Sequence, residues 1–189
     1  MRPLFSLGSV STVVFSLNVP VPGAVRRLAG DLEPELAAFD TVRDRHTLVL
    51  KRFGTETIET GHRITPEAQV AALRETIRPT LARTRPFELR TDRIEYFDRP
   101  TTGSGPVVYL AIEGDGLCTL HRRLVAEFGA MEGLEGDEYV PHVTLARGGT
   151  IEHAERLAER SIDPIEWCVR RLLLWDGRFG EPVGRIHLR

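Results

Sequence analysis

Apolar residues along this chain fall in short runs that switch between a period of two and a period near 3.6. Val13-Val14-Phe15-Ser16-Leu17-Asn18-Val19 reads as a core strand, ended by Pro20-Val21-Pro22-Gly23. From Ala24 to Phe39 the residues Val25, Leu28, Leu32, Leu36 and Phe39 recur near helical spacing and predict an amphipathic helix. Gly30 and Pro34 weaken its continuity. Arg45 to Phe53 predicts a second strand. Thr65-Pro66-Glu67 predicts a helix start, with threonine as cap and proline in the first turn, and the helix runs towards Leu81.

In the second half, Phe87 to Phe97 reads as one bent strand or a hairpin, and 100–106 as a Gly/Pro-rich loop. Val107 to Ile112 predicts an apolar strand, Gly116 to Phe128 a helix, Val140 to Ala146 a strand and Ile151 to Glu159 a short helix. Strands at Ile165–Trp175 and near Val183–Leu188 complete the chain. Both halves run apolar strand, helix, histidine-bearing strand, helix, strand. This order predicts an α+β fold of two pseudo-symmetric lobes, each an antiparallel sheet with helices on its outer face, flanking a central groove. Residues 13–189 form the expected bilobal domain, and residues 1–12 an expected disordered leader or early start.

With 189 residues, 41% hydrophobic and 28% charged, the chain has the composition of a globular protein with a sizeable core. Its net charge of −2 offers no global attraction to nucleic acid, so any polyanion must be drawn by a local patch. Lys51 is the sole lysine among many arginines. A GC-rich genome accounts for that bias, although it also suits bidentate phosphate contacts. Cys118 and Cys168 form no CxxC pair and read as reduced, buried thiols in a cytoplasmic protein. No apolar run reaches the roughly 18 residues of a membrane span.

The chemistry concentrates at Tyr139-Val140-Pro141-His142-Val143-Thr144-Leu145-Ala146-Arg147. On a strand, residues two apart share a face, so His142 and Thr144 converge while Val143 and Leu145 enter the core. An imidazole beside a hydroxyl, followed by an arginine, suits proton transfer around a phosphate. An imperfect echo, Arg45-His46-Thr47-Leu48-Val49-Leu50-Lys51-Arg52, supplies a histidine in the first half.

These residues resemble the two-histidine phosphoesterase superfamily, most closely its 2′-5′ RNA ligase / RNA 2′,3′-cyclic phosphodiesterase branch. That family carries His-x-Thr or His-x-Ser plus a hydrophobic residue once per lobe. The resemblance extends over roughly Val13 to Leu188, through the opening strand with its proline exit, the 107–128 strand and helix, and the two histidines. It implies a metal-independent phosphodiesterase, without cofactor, acting on RNA 2′,3′-cyclic phosphate ends to leave a 2′-phosphate, or on 2′-5′ linkages. It implies His46 and His142 as the catalytic pair, one as general base and one as general acid, with Thr144 and, through a β-bulge, Thr47 on the phosphate. Arg147, or Arg45, adds charge.

The first motif departs from the pattern. Threonine follows His46 directly, and Leu48 takes the hydroxyl position. A non-catalytic RNA- or nucleotide-binding module with a decayed first motif is therefore the alternative. The expected partners are RNA ends or a small cyclic nucleotide, with no metal and no membrane, for a monomer. Against these readings stand plainer ones: a half-buried strand histidine, a solvated Arg147, and an exposed basic edge of Arg45, Lys51 and Arg52. Tyr139 is an aromatic candidate for stacking on a base, while His62, His121, His153 and His187 read as structural or surface residues.

Overall fold

The computed structural model describes residues 13–54 and 65–189, so the expected leader and His62 lie outside the described residues. Strand β1 (Val13–Val19) covers the predicted residues. It lies inside a four-stranded antiparallel sheet ordered β10-β9-β1-β3, with β3 at Leu48–Gly54, β9 at Arg171–Asp176 and β10 at Glu181–His187. Phe15, Leu17, Leu48, Leu50, Leu172 and Leu174 are all fully buried on its inner face. The second four-stranded antiparallel sheet is ordered β2-β7-β6-β5, with β2 at Thr41–Val42, β5 at Ile94–Phe97, β6 at Val107–Ala111 and β7 at His142–Arg147. A two-stranded sheet pairs β4 (Phe87–Thr91) with β8 (Ile165–Val169).

The helices are α1 (Gly23–Asp31), α2 (Glu33–Leu36), α3 (Pro66–Leu81), α4 (Asp115–Phe128) and α5 (Ile151–Ala158). Helix α3 starts as predicted, with the Thr65 hydroxyl accepting from Ala68 N–H at 3.3 Å. Helix α4 buries Leu117, Leu120 and Leu124 and packs against β3 and β4, while α5 packs against β5 and β6.

Three predicted elements divide. The helix expected over 24–39 breaks at Leu32, because Pro34 lacks an N–H and its ring would meet the carbonyl four residues back; Pro34 instead sits in the first turn of α2. The 87–97 stretch separates into β4 and β5, and 165–175 into β8 and β9, with the partners in different sheets. Apolar pattern marks a buried strand but not its partner. The two lobes are therefore not the two halves of the chain. The first-lobe sheet takes β1 and β3 from the beginning and β9 and β10 from the end, and β2 crosses over to join β7. Both cysteines are free and half-buried rather than buried.

Candidate active site

Strand β7 follows its predicted alternation. Val143 and Leu145 are fully buried, and His142, Thr144 and Arg147 line a groove of about 360 Å³. The facing wall comes from β3. Leu48 and Leu50 enter the core, which turns Thr47 and Val49 outward into the same groove. A β-bulge opposite Leu17 and Asn18 then shifts the alternation, so that Lys51 is buried and Arg52 is the next side chain to reach the groove. The remaining wall is formed by Phe97, the 99–102 loop and residues 133–140.

The imidazole of His142 is held on three sides. Its Nδ1–H donates to the Val140 carbonyl at 2.7 Å, because a carbonyl can only accept. Phe97 meets the ring edge-on at 5.3 Å, and Tyr109 lies tilted at 5.3 Å. The tautomer leaves Nε2 with its lone pair free, which is the form a general base requires. Burial pushes the pKa below the usual histidine value, the Arg52 and Arg147 cations push the same way, and the Val140 carbonyl opposes them.

Charge in the groove is strongly one-sided. Arg43, Arg45, Arg52, Arg99 and Arg147 line it against a single carboxylate, Glu138. This is the local positive patch that a chain of net charge −2 needs to hold a polyanion. Arg147 donates to the Thr102 carbonyl at 2.8 Å, and Arg45 to the Gly180 carbonyl at 2.7 Å. The 100–106 loop is pinned by the Arg147 bond and by Thr101, whose hydroxyl donates to the Gly133 carbonyl at 2.8 Å. Gly133 has φ +72°, and a Cβ there would come within 2.7 Å of Thr101, so the close approach requires glycine.

Beneath the groove a buried cluster ties the two walls together. Glu135 accepts from Lys51 Nζ at 2.8 Å, from Arg52 N–H at 2.6 Å and from Met131 N–H at 3.1 Å. Lys51 is thus an internal cation, not part of an exposed basic edge. His121 stacks on Tyr139 at 3.7 Å, accepts from Gly136 N–H at Nε2 and donates from Nδ1 to the Leu50 carbonyl at 2.7 Å. The Tyr139 hydroxyl donates to the Val49 carbonyl at 2.8 Å. Tyr139 therefore positions β3, and one face of its ring is already covered by His121.

The expected pairing of His46 with His142 is not assembled. Strand β3 begins at Leu48, and His46 lines a different cavity together with Asn18, Arg26 and Trp167. Neighbouring residues of an extended chain point to opposite sides, so a Thr47 that faces the groove forces His46 away from it. Thr47 lines both cavities. The groove thus brings together Thr47, His142, Thr144 and Arg147 of the predicted residues, and leaves out His46. The signal lies in Leu48 and Leu50, two apolar residues that need the core and so dictate which positions face out. Arg43 and Arg99 carry no comparable signal.

A family model for the 2′-5′ RNA ligase superfamily matches residues 47–180. The chain belongs to the 2′-5′ RNA ligase superfamily. The match begins at Thr47, immediately after the displaced histidine. Among solved structures, this superfamily member is similar to TT0787 of Thermus thermophilus, with 21% identity, TM-score 0.58, and 93% of this chain and 98% of that chain covered. It is equally similar in fold to E. coli LigT complexed with 3′-AMP, with 19% identity, TM-score 0.59 and the same coverage. A structure described as a phosphoesterase matches at 20% identity and TM-score 0.56, covering 93% and 98%. No curated protein matches the sequence. Among the described residues no helix is long and apolar enough to cross a membrane, and no group of three or more His, Cys, Asp or Glu side chains could hold a metal ion.

Proposed function

We propose that the groove binds the phosphate end of RNA and opens a 2′,3′-cyclic phosphate there, slowly, as a one-histidine phosphodiesterase. The carrying observation is the neutral His142, with Nε2 free beside Thr144 and Arg147 in an arginine-lined groove. Water adds to phosphorus while His142 Nε2 takes its proton. One ring oxygen departs and takes its proton from solvent, because no second imidazole lines the groove among the described residues. Thr144, Thr47 and Arg147 hold the non-bridging oxygens, where negative charge develops. Membership of a superfamily of RNA ligases supports this chemistry, as does LigT, which was solved with 3′-AMP.

The side of the groove that carries Thr47 and Val49 favours a second reading, a nucleotide-binding module without turnover. One experiment separates the two. A short RNA ending in a 2′,3′-cyclic phosphate is incubated in EDTA with wild type, His142→Ala and His46→Ala. The expected result is slow hydrolysis that falls about 10²–10⁴-fold in His142→Ala and changes less than about threefold in His46→Ala. Loss of activity in His46→Ala would return that residue to the catalytic pair. Binding without any hydrolysis by wild type would leave the binding module.

The pH profile tests the base directly. His142 is active when neutral, and its folded pKa lies below the ordinary 6.5. Activity is therefore expected to hold from neutral pH down through 6.5 and to fall only at lower pH, as Nε2 protonates. A kcat/KM profile whose acid limb lies above 6.5 would contradict the assignment.

A further inference from the structure

Strand β10 lies at the edge of its sheet, with β9 on one side and no strand on the other among the described residues. The phase of its backbone is visible at its end. Leu188 N–H donates to the Arg170 carbonyl at 2.9 Å, on the β9 side, whereas Arg189 N–H turns the other way and donates to the Thr84 carbonyl at 3.1 Å. Backbone groups alternate sides along an antiparallel strand, so Arg185 and His187 present both N–H and C=O to the open side. Between that edge and α3 lies a pocket of about 490 Å³, which shares no residue with the groove. Its apolar lining is Leu81, Ala82 and Ile186. Its cations are Arg74 and Arg78 from α3 and Arg185 and Arg189 from the end of the chain, and its one carboxylate, Glu75, is already paired with Arg78 at 2.7 Å. Arg74 and Arg78 stand one helical turn apart, where like charges repel. Charge on an edge strand keeps two sheets from pairing, but that purpose leaves the α3 arginines unexplained.

We propose that this edge docks an extended acidic segment of a partner protein, which adds to the sheet as a further strand beside β10. The outward groups of Arg185 and His187 supply main-chain hydrogen bonds, and the side chains of the added strand alternate between two faces. On one face, carboxylates meet Arg185 and Arg189. On the other, Gly184 and Ile186 pair with the buried Leu174 and Leu172 and mark the core side, where α3 brings Leu81, Arg74 and Arg78. The Arg74 side chain reaches β10, since a Cβ on Gly184 would lie 3.7 Å from its Cδ. The spacings agree: one helical turn separates Arg74 from Arg78 by about 6 Å, and two residues of a strand cover about 6.6 Å. A second copy of this chain does not suit the edge, because antiparallel pairing of two β10 strands sets the Arg185-His187-Arg189 row against itself. The inference does not rest on the reading of the groove.

The probe is a fluorescein-labelled octapeptide of alternating glutamate and valine, titrated into the full chain and followed by anisotropy. Saturable binding is expected, weaker by at least about tenfold when every peptide nitrogen is methylated, which removes the main-chain donors and keeps the charges. Amide exchange at Arg185 and His187, followed by NMR, is expected to slow at least about tenfold on saturation. The Arg185→Ala/Arg189→Ala variant alters two exposed side chains and is expected to lose about threefold to tenfold in peptide affinity. Equal affinity for the methylated peptide, or unchanged exchange at the two amides, would overturn the inference and leave a plain anion patch. Absence of binding at about 1 mM peptide would overturn it too. So would an oligonucleotide that binds as tightly and displaces the peptide, since it has no peptide backbone to extend a sheet. Protection of the same amides by rising chain concentration alone would assign the edge to a second copy instead. No arm of this test reads hydrolysis, so it succeeds or fails apart from the groove.

Discussion

The double variant Thr47→His/Val49→Thr is expected to raise turnover of an RNA 2′,3′-cyclic phosphate by about 10²–10⁴-fold over wild type, the usual worth of a placed general acid. Thr47, just before β3, and Val49 on it are two residues apart and line the same groove as His142 and Thr144 of β7. The β7 wall carries histidine and threonine two residues apart, whereas the facing wall carries threonine and valine at that spacing. The substitution gives each lobe the same pair of side chains. A histidine at 47 would protonate the departing sugar oxygen, a step that solvent otherwise performs. A threonine hydroxyl at 49 would add a hydrogen bond to a charged phosphate, worth roughly 1.5–3 kcal/mol. Both positions are half-buried at the groove surface, so the new side chains need no core rearrangement. The gain should disappear when His142→Ala is added and persist when His46→Ala is added. A double variant no faster than wild type would show that the lobes do not present matched positions to the phosphate.

Glu135→Ala is expected to be the most destabilising single change in the groove floor. The Glu135 carboxylate is fully buried and its partner Lys51 is only 3% exposed, so removing the acid strands an ammonium in the interior. Breaking such a pair costs about 3–5 kcal/mol, and a melting temperature lower by about 6–20 °C follows for a domain of this size. Two backbone N–H groups, of Arg52 and Met131, lose their acceptor at the same time. Lys51→Met combined with Glu135→Gln removes both charges and keeps an amide oxygen for those N–H groups, so it should recover most of the loss. Thermal unfolding followed by circular dichroism at pH 7.5 measures both. A Glu135→Ala variant melting within 2 °C of wild type, a margin below about 1 kcal/mol, would mean that the pair is solvated and contributes little.

Some features are legible in the sequence because their physics is local. The alternation of His142-Val143-Thr144-Leu145 is set by the two-residue repeat of a strand, and the structure buries and exposes those side chains accordingly. The Thr65 cap and the proline that follows it need only the first turn of a helix. The first motif departs from its expected pairing for an equally local reason. The demand of Leu48 and Leu50 for the core is stronger than any preference of the histidine, and it sends Thr47 into the groove and His46 out of it. A floor built from Lys51, Glu135 and His121 is beyond the reach of local pattern, because 84 residues separate the first two and nothing in either neighbourhood announces the other. The same holds for Asn18, Trp167 and Trp175, brought to one cavity from distant strands.

By itself, the sequence determined the types and approximate limits of most elements, the α+β class, and the face that His142 and Thr144 share, since hydrophobic period and turn chemistry act over a few residues. Only the tertiary structure decided that β9 and β10 complete the first lobe, that β2 joins the second, and that the groove holds one histidine among the described residues. Strand partners are selected by long-range burial, and a register difference of one residue reverses every side chain on a strand.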